Sequence, residues 1–73
     1  MRIIVSKHAR KRLRDVRQSS ITPEDIVKAA SAIPGHIPTA TRFRGFISPC
    51  GKVFDIVAKD VSNGRLVITI IGK

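Results

Sequence analysis

The second half of the chain most constrains its fold, because after residue 40 the sequence changes to short segments typical of β-strands. Three segments rich in Val, Ile, Phe and Thr are separated by the turn-forming stretches SPCG and DVSNG; they are TRFRGFI (41–47), KVFDIVAK (52–59) and RLVITII (65–71). Connections of this kind join antiparallel neighbours, and Asn63-Gly64 suits a tight turn with positive φ. The pattern predicts two hairpins, and the last strand, apolar on both faces, is expected at the centre of the sheet.

The start of the chain predicts a short strand followed by a helix. RIIV (2–5) is a β-branched run, and Ser6 after it is an N-cap candidate for the stretch SKHARKRLRDVR (6–17). Three apolar residues of that stretch recur at helical spacing and form the stripe expected to dock on the core: Ala9, Leu13 and Val16.

The sequence marks both ends of a second helix with residues typical of helix termini. Thr22 is placed to be the N-cap and Pro23 the first helical residue, and the segment IPGHIP (33–38) ends the helix. Its expected buried face consists of Ile26, Val27, Ala30 and Ile33.

These elements predict a single α+β domain over residues 1–73, in the order β-α-α-β-β-β, with two N-terminal helices packed on one face of an antiparallel sheet. Alternation along the last two strands gives the side chains expected to face the helices: Phe54, Ile56, Ala58, Leu66, Ile68 and Ile70. The opposite face is expected to display Arg42, Arg44, Asp55, Lys59 and Thr69.

The charge of the chain is strongly positive and unevenly distributed. Fourteen Lys and Arg against five Asp and Glu give a net charge of +9. Residues 1–17 alone hold seven of the basic groups against Asp15, a local balance of 7 − 1 = +6. Clustered positive charge favours a binding face for a polyanion over mere solubility.

Several classes of protein and site are disfavoured by the composition. One cysteine, Cys50, cannot form an internal disulfide, and no apolar run approaches the roughly 20 residues of a membrane helix. Two separated histidines and one cysteine have no zinc-ligand spacing, so no metal is expected. The sequence has neither a P-loop nor a Gly-rich dinucleotide fingerprint, so no cofactor is expected. The default location is the cytoplasm, with no membrane partner.

His8 and Arg12 lie one turn apart on the first predicted helix and flank its apolar stripe. RNA cleavage by the neighbouring 2′-hydroxyl needs a base, an acid and cations around the phosphate, and histidine exchanges protons near neutral pH. His8 can fill one proton-transfer role, with Arg12, Arg44, Lys52 or Arg65 supplying charge. A solvated helix with a histidine at its border remains the simpler interpretation of the same residues.

The segments SKHARKRL, with His8 and Arg12 as His-x-x-x-Arg, ITPEDI and GRLVITII resemble the small RelE-like domains of the nuclease group that also includes barnase, the EndoU enzymes and the RNase colicins. The resemblance extends from residue 5 to 71. It implies a toxin that cleaves tRNA or ribosome-associated mRNA without metal and is blocked by an acidic antitoxin or immunity protein. It also implies an active site of His8, Arg12, Arg65 and Thr69.

The leading hypothesis is therefore a toxin-like ribonuclease whose basic side chains hold RNA: Lys7, Arg10, Lys11, Arg14, Arg42, Arg44 and Lys52. The alternative is a non-catalytic nucleic-acid-binding module or regulator of the same fold. A third reading, a domain whose basic surface meets an acidic protein, is compatible with either.

Overall fold

The computed structural model describes residues 2–14 and 21–72, which form one sheet and two helices. In chain order the elements are β1 (Ile3–Val5), α1 (Lys7–Arg12), α2 (Pro23–Ala32), β2 (Thr41–Ile47), β3 (Val53–Val61) and β4 (Gly64–Gly72). The protein is of the α+β class, as the sequence predicts. The end of the first predicted helix, including Val16, lies outside the described residues.

The sheet has the strand order β1-β4-β3-β2, so β4 is central, as its apolar sequence predicts. The two predicted hairpins are confirmed, because β2 and β4 both pair antiparallel with β3. The prediction of a wholly antiparallel sheet is wrong: β1 runs parallel to β4, with Ile3 opposite Arg65 and Val5 opposite Val67. A parallel pair needs a long connection, and here both helices and two strands lie between its members.

Both helices begin with the caps that the sequence predicts. The Ser6 hydroxyl accepts a hydrogen bond from the backbone N–H of Ala9. In α2, the Thr22 hydroxyl accepts from the N–H of Asp25, whose carboxylate accepts in turn from the N–H of Thr22. This reciprocal pair is a capping box, which satisfies two backbone donors that the first turn leaves free.

One core joins the two helices to the sheet. The predicted residues Phe54, Ile56 and Ala58 of β3 are buried. Further buried apolar side chains come from both helices, β4 and the segments beside α2: Ala9, Ile21, Ile26, Ala29, Ala30, Ile37, Val67 and Ile70. The prediction of two helices packed together on one face is met only in part: α1 packs against β4, at the edge that β1 leaves open, whereas α2 contacts β1, β3 and β4.

The predicted buried face of α2 is partly wrong. Ile26 and Ala30 are buried, but Val27 is 40% exposed and Ala29 takes its place in the core. Ile33, just past the last turn, is partly buried against the core.

A β-bulge in β4 overturns part of the predicted face of that strand, although Ile70 is buried as predicted. Val57 pairs with Thr69 but the next residue, Ala58, pairs with Val67, so Ile68 is an extra residue. The bulge reverses the alternation along β4. As a result Val67 and Ile70 are buried, whereas Leu66 and Ile68, predicted to face the core, are half-buried.

Gly64 lies at the start of β4, where β1 approaches very closely. Its φ is +150°, and a Cβ at this position would lie 2.5 Å from the carbonyl oxygen of Arg2. The glycine is therefore required by the contact with Arg2, while the two-residue turn itself is Ser62-Asn63, between the paired residues Val61 and Gly64.

Neither described helix is both long and apolar enough to cross a membrane.

Candidate nucleic-acid interface

Helix α1 is fixed to the open edge of β4. Since β1 is short, within the described residues β4 has no strand neighbour on this side beyond Val67. The N–H of Ser6 donates to the carbonyl of Val67 at 3.0 Å, and its hydroxyl donates to the carbonyl of Ile68 at 2.7 Å. Further along, Nε of Arg12 donates to the carbonyl of Ile70 at 3.4 Å. Ser6 and Arg12 thus donate hydrogen bonds to carbonyl groups of β4 on the side where no strand pairs with it.

Packing of the small side chain of Ala9 determines which way the rest of α1 points. Ala9 is fully buried and Leu13, just after the helix, packs against the core. Because a helix turns by 3.6 residues, Lys11 then lies on the side opposite Ala9 and faces solvent.

The exposed side of α1 and the turn just after it carry a dense set of cations, which we call the α1 surface: Lys7, Arg10, Lys11, Arg12 and Arg14. His8 lies among them and is exposed, whereas Arg12 is half-buried. Two open concavities form on this surface. One, of about 540 Å³, is lined by His8, Lys11, Arg12 and Arg14. The other, of about 300 Å³, is lined by Lys7, Arg10, Lys11 and Arg14.

Four of the chain's five acids lie in parts of the fold other than the α1 surface. Asp55 and Asp60 are bound to other arginines, and Glu24 and Asp25 lie in the first turn of α2. The fifth acid, Asp15, lies outside the described residues. A dense group of like charges favours a polyanionic ligand.

Arg65, predicted to be an active-site cation, is instead buried in the interior. It is 0% exposed and makes five hydrogen bonds. Nη1 donates to the carbonyls of Ala30 and Ile33 and Nη2 to that of Gly35, while Nε and Nη2 donate to Asp60. All five guanidinium N–H groups are thus used within the fold. The arginine ties the end of α2 to β4 and offers no group to a phosphate at the surface.

Asp60 completes this buried network. Its pKa falls from 3.8 to about 2, first because Arg65 donates hydrogen bonds to the carboxylate and next because the N–H of Ile37 does so. Burial acts in the opposite direction, while the positive charge of Arg65 and the proximity of His36 lower the pKa further. Nδ1 of His36 lies 3.1 Å from the carboxylate, so this histidine belongs to the network and not to the α1 surface.

The remaining predicted residues lie elsewhere in the fold. Thr69 is half-buried on β4, where it pairs with Val57 of β3. Arg42 pairs with Val57 from the other side, on β2, which is the edge of the sheet away from β1. Arg42 is engaged by Asp55, with Nη2 at 2.7 Å and Nε at 3.0 Å from Oδ2. Arg44 is exposed in a β2 bulge, and Lys52 precedes β3. The structure therefore separates the predicted RNA-binding residues into the α1 surface and a smaller group at the β2 edge.

The described residues contain no group of three or more His, Cys, Asp or Glu side chains placed to hold a metal ion. Cys50 is exposed, and its Sγ lies 3.4 Å from the hydroxyl of Ser48 in the turn between β2 and β3.

Comparison of the chain with protein-family models, curated proteins and solved structures gave no match. The class that the fold and the surface define is a small α+β protein with a cationic helix at one edge of a mixed sheet. The resemblance to RelE-like domains stays a prediction.

Proposed function

We propose that this protein binds RNA through the α1 surface. The observation that carries the proposal is the charge arrangement, with five cations in residues 7–14, no acid among them, and four of the chain's five acids placed elsewhere. Cations that neutralise phosphates release condensed counterions, which supplies most of the affinity of such surfaces. The choice of RNA among polyanions rests on His8, which shares a concavity with three of the cations and is the type of residue that moves protons in cleavage at a 2′-hydroxyl.

Lys11 gives the most informative test, because it lines both concavities. Lys11→Glu should weaken binding of fluorescein-labelled tRNA at least about tenfold at roughly 150 mM salt, since it replaces an attraction by a repulsion. Lys28→Glu is the matched control, an exposed lysine exchanged on α2 instead of α1. Fluorescence anisotropy over a salt series measures both. Equal losses in the two variants would mean that net charge, and not the α1 surface, determines binding.

A second candidate function at the same surface is metal-independent RNA cleavage. Its specific support is the position of His8 beside Lys11, Arg12 and Arg14 in one concavity. In that reaction the 2′-oxygen loses its proton to a base and bonds to phosphorus. The bond from phosphorus to the 5′-oxygen breaks, and that oxygen takes a proton, giving a 2′,3′-cyclic phosphate and a 5′-hydroxyl. His8 would carry one of the two proton transfers, and the arginines would stabilise the charge on the phosphate.

The cleavage test compares His8→Ala with His36→Ala, since both histidines are exposed and His36 lies outside the α1 surface. Purified protein is incubated with total tRNA and with translating ribosomes in excess EDTA, and new RNA ends are mapped. Cuts made by the parent and by His36→Ala but lost in His8→Ala, with RNA affinity retained, would support cleavage. Absence of cuts by the parent would leave binding alone, and cuts persisting in His8→Ala would remove the assignment of His8.

We also propose, from the resemblance alone, that an acidic antitoxin or immunity protein covers the α1 surface. Growth arrest on expression, relieved by an adjacent acidic gene product that competes with tRNA for the protein, would support this. Lack of competition would place such a partner elsewhere.

A further inference from the structure

The face of the sheet away from the helices is covered by no described element, yet it is largely aliphatic. On the other face, buried residues of the helices and the sheet form the core. Side chains that alternate with these core residues along the strands point to the opposite face. Six aliphatic residues do so and lie outside the core; we call this set the open face: Ile4, Ile47, Val53, Val57, Leu66 and Ile71.

The pairing register brings these side chains together across the sheet. Ile4 pairs with Leu66, and Ile47 pairs with Val53, and residues paired in this way share a face. The bulge in β4 contributes, because it turns Leu66 from the predicted core side to this one. Val53 is 37% exposed and Ile47 69%. Since a sheet face turned to water normally carries polar side chains, an aliphatic one indicates a surface that packs on something else.

The open face carries little net charge. Arg42 and Asp55 lie on this side of the sheet, but they form an ion pair at 2.7 Å, in which Asp55 is 0% exposed. Lys59, which pairs with Leu66, lies at the margin, because β2 begins only at the residue opposite Ala58. The five cations of the α1 surface belong to a helix that is buried in the core on the other side. An acidic partner would therefore favour the α1 surface, whereas the open face suits a partner that is apolar and nearly neutral.

The open face has the dimensions of a small protein interface. Strands β3 and β4 have nine residues each and are therefore about 30 Å long, and four neighbouring strands span about 15 Å. The product is a flat area on the order of 450 Å², on which side chains stand and present a larger accessible surface. Interfaces that bury less than about 1,200 Å² in total are typical of weak, reversible complexes.

We infer that the open face packs on the open face of a second copy of this chain, which gives a sandwich of two sheets with the helices outside. A two-fold axis places the same patch on both sides of an interface, so each copy supplies the apolar and nearly neutral surface that the other needs. Two sheets pack face to face about 10 Å apart with their aliphatic side chains interdigitated. For a chain of net charge +9, contact through this face also brings fewer like charges together than contact through α1. The inference does not depend on RNA binding.

Sedimentation equilibrium of the full chain, freed of nucleic acid, tests the inference from about 5 to about 500 μM protein. We expect a monomer–dimer equilibrium with a Kd on the order of 10 to 100 μM, as an interface of this size implies. Raising the salt from roughly 150 to roughly 500 mM should strengthen the dimer at least about twofold, because it screens the repulsion between two positively charged chains.

Two valines of nearly equal exposure provide a matched pair of variants. Val53 on the open face is 37% exposed and Val27 on α2 is 40% exposed, so lysine at either position is compatible with the fold and adds the same charge. Val53→Lys should weaken the dimer at least about tenfold, because the new charge is pressed against the apolar surface of the other copy. Val27→Lys should leave the Kd within about twofold of the parent. Far-UV circular dichroism verifies that both variants are folded.

The results that would overturn the inference are distinct. A chain that stays monomeric to about 500 μM in high salt would show that a second copy does not cover the open face. A dimer that weakens as salt is added would be held by charge or by residual nucleic acid, and not by apolar packing. A dimer that both variants weaken equally, or that neither weakens, would form through another surface.

Discussion

Replacement of Arg65 by lysine tests whether this residue is structural, as its burial indicates, or part of an active site. The guanidinium makes five hydrogen bonds, and a lysine ammonium has three donors, so at least two bonds are lost. A net contribution of about 1.5–3 kcal/mol per hydrogen bond to a charged group sets the scale. One of the five is long, at 3.3 Å, and counts for less. We therefore expect Arg65→Lys to lower the free energy of unfolding by about 2–4 kcal/mol.

That loss is large for a chain of this length, whose total stability is on the order of 4–11 kcal/mol. Because the sequence has no Trp or Tyr, unfolding in urea is best followed by far-UV circular dichroism. Arg44→Lys, the same exchange at an exposed position of β2, is the control and should change stability by no more than about 0.5 kcal/mol. If Arg65→Lys were as stable as the parent but failed to cleave or bind RNA, the structural assignment would be refuted and an active-site role restored.

Three further changes test other contacts of the fold. Gly64→Ala should cost about 1–3 kcal/mol, because the new Cβ would press on the carbonyl of Arg2; chemical denaturation measures the loss, and unchanged stability would contradict the close approach. Asp60 has a folded pKa of about 2, below its ordinary 3.8, so its contribution to stability is complete above about pH 4 and is lost as the pH falls through 2. Urea midpoints measured between pH 2 and 6 should therefore fall less steeply with acid in Asp60→Asn than in the parent, and identical slopes would contradict this origin. Ser6→Ala should cost about 1–2 kcal/mol, since the hydroxyl both caps α1 at Ala9 and binds β4; a loss below about 0.3 kcal/mol in thermal melts would show that these bonds matter little.

Local sequence patterns predicted which segments form helices and strands. They did not predict how the strands pair. The caps at Ser6 and Thr22 and the hairpin strands depend on residues close in sequence. The parallel pairing of β1 could not be predicted, because its three β-branched residues do not indicate whether the strand runs parallel or antiparallel to its neighbour. The bulge at Ile68 also escaped, since a run apolar on both faces fits either register equally well.

The candidate site was predictable where it depends on a single helix and not where it depends on tertiary contacts. His8 and the cations of α1 share one surface because helical spacing alone places them there. Arg65 was misplaced because a charged residue at the start of a strand is normally exposed. One signal for its burial was present in the sequence: Asp60 and Arg65 flank a tight turn at equal distances, which places them opposite each other across the hairpin. The three carbonyl groups that accept hydrogen bonds from Arg65 could not be predicted in this way, because they reach Arg65 only through the packing of α2.

The pairing of β1 with β4 has a consequence for the order in which this protein can be made. A ribosome releases β1 and α1 first, yet Ser6 and Arg12 hold α1 through carbonyls of β4, the last strand in chain order. Contacts between such distant parts of a chain form late, because the loop between them must close first. During synthesis the basic segment 7–14 therefore lacks the contacts that fix it, and because so short a helix is marginal on its own, it becomes a defined surface only when β4 is available to hold it.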